Sequence, residues 1–155
     1  MRRMLGILIA MVMVSFNCFA AHEADIAGVW TVTDGKSRIE IQKTDKGTFE
    51  GRIVWLKDPA YLAGDAEAGV LRHDRKNPDA SLRGRAIMGL VIMKGFKFDG
   101  RQKWSGGTIY DPKQGKTYKG TMSLADAQTL DMRGFIGVSL LGRTEKWKRY
   151  AEPAK

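Results

Sequence analysis

The chain has 155 residues, 43% of them hydrophobic, one cysteine, two histidines, and 26 lysines and arginines against 17 acids, a formal charge of +9. One cysteine excludes an internal disulfide framework, and two histidines with that cysteine leave no usual ligand set for structural zinc. The cations are scattered rather than gathered into an arm, which argues against nucleic acid and for a basic solvated surface that would attract anionic partners.

Arg2 and Arg3 are followed by an uncharged run over 4–16 and by the small residues around Ala20 and Ala21. That layout predicts a secretory signal peptide over 1–20, with the mature chain starting at Ala21. The run is shorter than the roughly 20 apolar residues a spanning helix needs, so no transmembrane anchor is expected. Anchoring through a lipid on Cys18 would want a small residue before it, and Asn17 stands there. Without Arg2 and Arg3 the cations fall to 24 against 17 acids, a net +7. The expected location is the periplasm of a Gram-negative bacterium, where an anionic envelope surface is a natural partner for a basic protein and nucleic acid is not. Residues 21–155 suit one domain with its own core.

Period-2 alternation predicts strands over 26–33, 38–43 and 48–56, separated by Asp34-Gly35-Lys36 and Asp45-Lys46-Gly47. A long connection follows, with room for a helical turn over 61–68. Further strands are predicted over 88–98, 103–110, 117–124, 129–136 and 142–149, with Asp99-Gly100 joining the first two of these. Between the sixth and its predecessor lies YDPKQGKT, whose Gly115-Lys116-Thr117 imitates the end of a phosphate-binding loop. Tyr110 occupies the position where that loop needs its first glycine, and a strand rather than a helix follows. The stretch therefore reads as a hairpin loop, with Pro112 and Gly115 as turn residues.

Alternation assigns Phe49, Ile53 and Trp55, then Tyr118, Met122 and Leu124, then Leu130, Met132 and Ile136 to the inner face. Glycines at 51, 106, 107, 120, 134 and 137 lie within strands, as a sharply curved sheet requires. The fold class is all-β: a single eight-stranded antiparallel up-and-down barrel, wide enough for a packed interior or one small ligand.

Gly28-Val29-Trp30 on the first strand and Arg143 on the last resemble the calycin pattern, in which an arginine covers a tryptophan at the closed end of a lipocalin-like barrel. The resemblance makes Trp30 and Arg143 the expected closure pair. Gly51-Arg52-Ile53-Val54-Trp55-Leu56, Asn77-Pro78-Asp79 with Leu82-Arg83, Gly106 to Pro112 with Gly115 to Tyr118, and Arg133 to Gly137 with Gly142-Arg143-Thr144 occur in one order along the chain. Together they resemble the domain of unknown function 2147 family of exported bacterial proteins, which implies a lipocalin-like barrel in the cell envelope and no established activity.

The only acid/base cluster is His73, Asp74, Asn77 and Asp79. Its spacing fails as a calcium loop, and the bland reading is a set of side-chain turns around Pro78 in an exposed loop. No G-x-S-x-G elbow accompanies His73, so an enzyme using His73 and Asp74 stands behind the binding readings. Residues 57–87 form either a lid over the barrel mouth or a surface-packed excursion. In the leading reading Trp55, Trp104, Tyr110, Tyr118 and Met122 line a pocket for a small, largely apolar or lipid-like ligand. Alternation puts Arg133 outside, although a bulge at Gly134 would turn it toward a ligand's acidic headgroup. No cofactor or metal is expected. The alternative is a filled barrel serving as an envelope interaction protein.

Overall fold

A computed structural model of the protein describes residues 21–152. The predicted signal peptide and Cys18 lie outside the described residues. Eight antiparallel strands close into a barrel in chain order: β1 Gly28–Thr31, β2 Ser37–Lys43, β3 Phe49–Leu56, β4 Val91–Phe98, β5 Lys103–Asp111, β6 Lys116–Asp126, β7 Thr129–Phe135 and β8 Arg143–Arg149. The ring shuts where β8 pairs with β1, Trp30 opposite Arg149 and Thr31 opposite Lys148. Among the described residues no helix is long and apolar enough to cross a membrane.

Strand direction gives the barrel two unlike ends. One end carries the start of β1, the finish of β8 and a 3-10 turn at Glu23–Ile26. Trp30 is fully buried there and donates its indole N–H to the Ile26 carbonyl at 2.9 Å. The cation over its ring is Arg149, with the guanidinium carbon 4.2 Å from the ring centroid. Arg149 also donates to the carbonyls of Ala27 at 2.9 Å, Asp25 at 2.5 Å and Ala127 at 2.8 Å. The closure partner is therefore Arg149 and not Arg143. In antiparallel neighbours the last residue of β8, not the first, lies level with the start of β1.

Above this floor the interior is solid. Phe49, Phe96, Trp104, Met93, Met122, Ile39, Ile41 and Leu130 are all essentially inaccessible. Trp104 packs against Phe98 at 4.9 Å and edge-on to Phe49 at 6.4 Å between ring centroids. Gly107 and Gly120 face each other across β5 and β6, and a Cβ on either would overlap the Phe96 ring, at 2.7 Å in the case of Gly120. These two glycines exist so that Phe96 can cross the barrel.

Two predicted inward positions are not inward. Ile136 is 67% exposed, beyond the end of β7. Trp55 pairs with Arg38 because the β2–β3 register slips between Arg38 and Ile39. Arg38 alternates with the buried Ile39, so the slip brings Trp55 to the outer face beside it. There the Arg38 guanidinium lies 4.3 Å from the Trp55 ring and 3.7 Å from that of Tyr150.

The connection between β3 and β4 is folded. Bridges Ala60 to Leu71 and His73 to Ala86 set three short antiparallel runs side by side, and Tyr61, Ile87 and Leu90 are buried. No helical turn forms over 61–68; the 3-10 turn lies instead at Ala80–Leu82, capped by the Asp79 carboxylate accepting from the Ser81 N–H.

Candidate functional site

The end opposite Trp30 is where the chain places its polar chemistry. Asp74 has no exposed surface, although it sits in a connecting segment. One carboxylate oxygen accepts from the Tyr110 hydroxyl at 2.6 Å. The other accepts from Asn77 Nδ2 at 2.7 Å and from Arg85 Nε at 2.9 Å, with Arg85 Nη2 at 2.8 Å completing a two-pronged ion pair. A buried carboxylate is stable only when its lone pairs are met in this way. Burial, and then the hydrogen bond to Asp74, push the Tyr110 hydroxyl up to about 12.

The turn chemistry expected around Pro78 is present: Asn77 Oδ1 accepts from the Asp79 N–H and Asp79 Oδ1 from the Ser81 N–H. The expectation of an exposed loop fails at Asp74, because Tyr110 and Arg85 draw its carboxylate beneath the surface. What YDPKQGKT does also becomes clear. Tyr110 holds Asp74, and Gly115 (φ +69°) lies so close to Lys76 that a Cβ would fall on the Lys76 carbonyl. The hairpin is a seat for the β3–β4 segment. Lys113 extends from it to Asp34 of the β1–β2 loop at 3.0 Å, strapping two rim loops together.

His73 is turned to different partners from Asp74. Its Nδ1 lies 2.8 Å from the Arg83 carbonyl and its Nε2 3.0 Å from Glu67. Those two contacts, in that order, raise its pKa above the ordinary value. Arg75 bonds Asp65 at 2.7 Å and Glu67 at 3.0 Å and covers the Tyr61 ring at 4.0 Å. Both ring nitrogens of His73 are thus engaged while its ring stays partly exposed, and Asp74 is sealed from solvent, so the two neighbours serve as a structural clamp within the β3–β4 segment.

At this end the β5 to β8 wall carries the glycines of the barrel interior. Register carries an inward row from Gly107 through Gly120 and Gly134 to Arg143. Phe96 plugs the first two positions. At Gly134 a Cβ would make only ordinary contacts, 3.7 Å from Tyr118 Cβ and 3.9 Å from Ile109 Cγ2. Ile109 and Tyr118 are half-buried, and Arg143 is exposed and has no hydrogen-bond or ion-pair partner among the described residues. Glu145, one inward step deeper, accepts weakly from the Trp147 indole at 3.5 Å. Open depressions of about 400 Å³ beside Arg149 and about 530 Å³ beside the β2–β3 turn are lined by loop and outer residues and not by this row.

Of the six residues expected to hold a ligand, Tyr118 alone borders Gly134. Trp104 and Met122 belong to the packed interior, Tyr110 anchors Asp74, and Trp55 is on the outer face. Arg133 is outside as well, donating to the carbonyls of Ser139 at 2.6 Å and Leu140 at 3.2 Å and to Thr144 Oγ1 at 2.9 Å. No bulge turns it inward, since Thr121, Arg133 and Thr144 stay in regular register. Sequence reading missed Ile109, Gly134 and Arg143 as mouth residues; the strand-interior Gly134 was the one available signal.

The barrel resembles the structure of protein HP1028 from the human pathogen Helicobacter pylori, described as a member of the lipocalin family, with a TM-score of 0.68 and 22% identity over 82% of this chain and 84% of that one. At that identity the likeness concerns fold. Comparison with curated proteins found no match. The family described as "Uncharacterized protein conserved in bacteria (DUF2147)" matches residues 28–149, the whole barrel from Gly28 to Arg149. This lipocalin-like barrel therefore belongs to the DUF2147 family of bacterial proteins.

Proposed function

We propose that the protein is exported to the periplasm after removal of residues 1–20 and binds a small, largely apolar ligand with an anionic end. The ligand lies in the mouth of the barrel rather than in a deep calyx. The observation that carries this reading is the glycine row, plugged by Phe96 at Gly107 and Gly120 but not at Gly134, where a Cβ would only touch the apolar flanks of Ile109 and Tyr118. Arg143 stands at the end of that row with its donors free, so a carboxylate or phosphate would be held by a charge-assisted fork while the tail lies in the notch. HP1028 is described as a lipocalin, and pockets at barrel mouths are mostly apolar with few placed polar groups.

Calorimetric titration with a medium-chain fatty acid tests the reading. Saturable binding should weaken about tenfold in Arg143→Gln, the scale of one charged hydrogen-bonded contact, and should vanish in Gly134→Leu, which fills the notch. Unchanged affinity in both variants would contradict it. The packed interior favours a second reading, an envelope interaction protein that takes no ligand. A folded wild type that binds no apolar acid would remove the first reading and leave the second standing.

A further inference from the structure

The loop between β7 and β8, residues 136–142, carries no charge and presents Ile136, Val138, Leu140 and Leu141 at 67%, 61%, 87% and 80% exposure. Large aliphatic side chains held out to this degree mark an interaction surface. The projection is built. Arg133 grips the Ser139 and Leu140 carbonyls from below, and a 3-10 turn at Ser139–Leu141 bonds the Leu141 N–H to Val138 and the Gly142 N–H to Ser139. Several backbone groups that would suffer on leaving water are therefore already paired.

We propose that this loop docks the barrel mouth onto an anionic lipid bilayer. Two observations select that partner. First, four aliphatic side chains on a seven-residue projection offer much less than the roughly 1,200 Å² of a stable protein interface, whereas a bilayer accepts a wedge without matching its shape. Second, among the residues of the same end that make no ion pair, the cations Lys36, Lys57, Lys76, Lys116 and Arg143 outnumber the carboxylates Asp58, Asp79 and Asp111. A cationic excess on the end that bears an apolar tip is complementary to anionic headgroups over an apolar interior. Docking is independent of whether the mouth holds a ligand.

The test uses the full chain in a Cys18→Ser background, with a polarity-sensitive dye on Leu140→Cys or, as the control at the opposite end, on Lys46→Cys. Both positions are exposed, so the label should not disturb folding. Vesicles of phosphatidylcholine with about one quarter phosphatidylglycerol should shift the Leu140→Cys dye to the blue and brighten it severalfold, an effect that salt reverses. The Lys46→Cys dye should stay unchanged, which separates loop docking from binding through residues 1–20. An unchanged Leu140→Cys dye would overturn the proposal. So would an equal response to phosphatidylcholine alone, or a response without vesicles that grows with protein concentration, the last indicating a second copy of the chain as partner.

Discussion

Tyr110 and Asp74 are 36 positions apart in sequence, and their hydroxyl and carboxylate oxygens lie 2.6 Å from each other. This bond ties the β3–β4 segment to the barrel wall. Tyr110→Phe should lower stability by about 1–3 kcal/mol, since one oxygen of a buried carboxylate loses its donor. Hydrogen exchange should quicken in residues 57–90 before it does in β5 to β8. Uniform quickening throughout the barrel would show that the segment is not a separate unit.

The same bond has a pH signature. Tyr110 keeps its proton to about pH 12 in the folded protein, above the ordinary tyrosine value of 10.0. Between these values the unfolded chain has lost a proton that the folded one keeps, so this contribution is present below pH 10 and lost as pH rises toward 12. Ultraviolet titration of phenolate absorbance should show a late-ionising tyrosine in wild type that disappears in Tyr110→Phe.

His73 makes a second, milder dependence. Its pKa is raised above 6.5, chiefly by the Arg83 carbonyl and then by Glu67. Protonation thus stabilises the segment below that value, and the benefit is lost as pH rises through the raised pKa. Proteolysis within residues 57–90 should accelerate on going from acid to alkaline buffer across that interval, and His73→Gln should flatten the dependence. A pH-independent cleavage rate in wild type would contradict the clamp.

Arg149 and Arg143 should behave in opposite ways. Arg149→Ala strips donors from three carbonyls and the cation from Trp30, a loss of about 3 kcal/mol. Arg143→Ala, at the exposed mouth, should change stability by less than about 0.5 kcal/mol. Urea midpoints for the two variants check this directly; equal midpoints would mean that closure does not depend on Arg149.

Much of the fold was legible because alternation survives along β2, β6, β7 and β8, and turn residues separate the strands. What escaped sequence reading depended on register. Arg143 and Arg149 share one face of β8, and the choice between them needs only the fact that β8 runs antiparallel to β1. Trp55 kept its period in the sequence but lost it in space, because the slip at Arg38 changes its face. Asp74 could not be read as buried, since its burial depends on Tyr110 and Arg85 arriving from distant positions. Alternation put Arg133 outside, and the bulge on which its expected ligand contact depended does not occur.

The hairpin seat distinguishes neighbouring residues of one motif. Gly115→Ala meets the Lys76 backbone and a φ of +69°, and should cost about 1–3 kcal/mol through local strain. Lys116→Ala should stay within about 0.5 kcal/mol of wild type. Thermal unfolding of both variants provides the comparison, and a larger loss at Lys116 would place the function of the motif elsewhere.

The claim that ligand lies in the mouth, above a packed interior, is tested most directly by following backbone amides in NMR spectra as a medium-chain fatty acid is added. The account predicts saturable shifts centred on Ile109, Tyr118, Gly134 and Arg143, with Trp104 and Met122 nearly unmoved. Shifts centred on Trp104, Met122 and Phe96 would contradict it by placing the ligand inside the barrel, and no saturable shift anywhere would leave the barrel without a ligand.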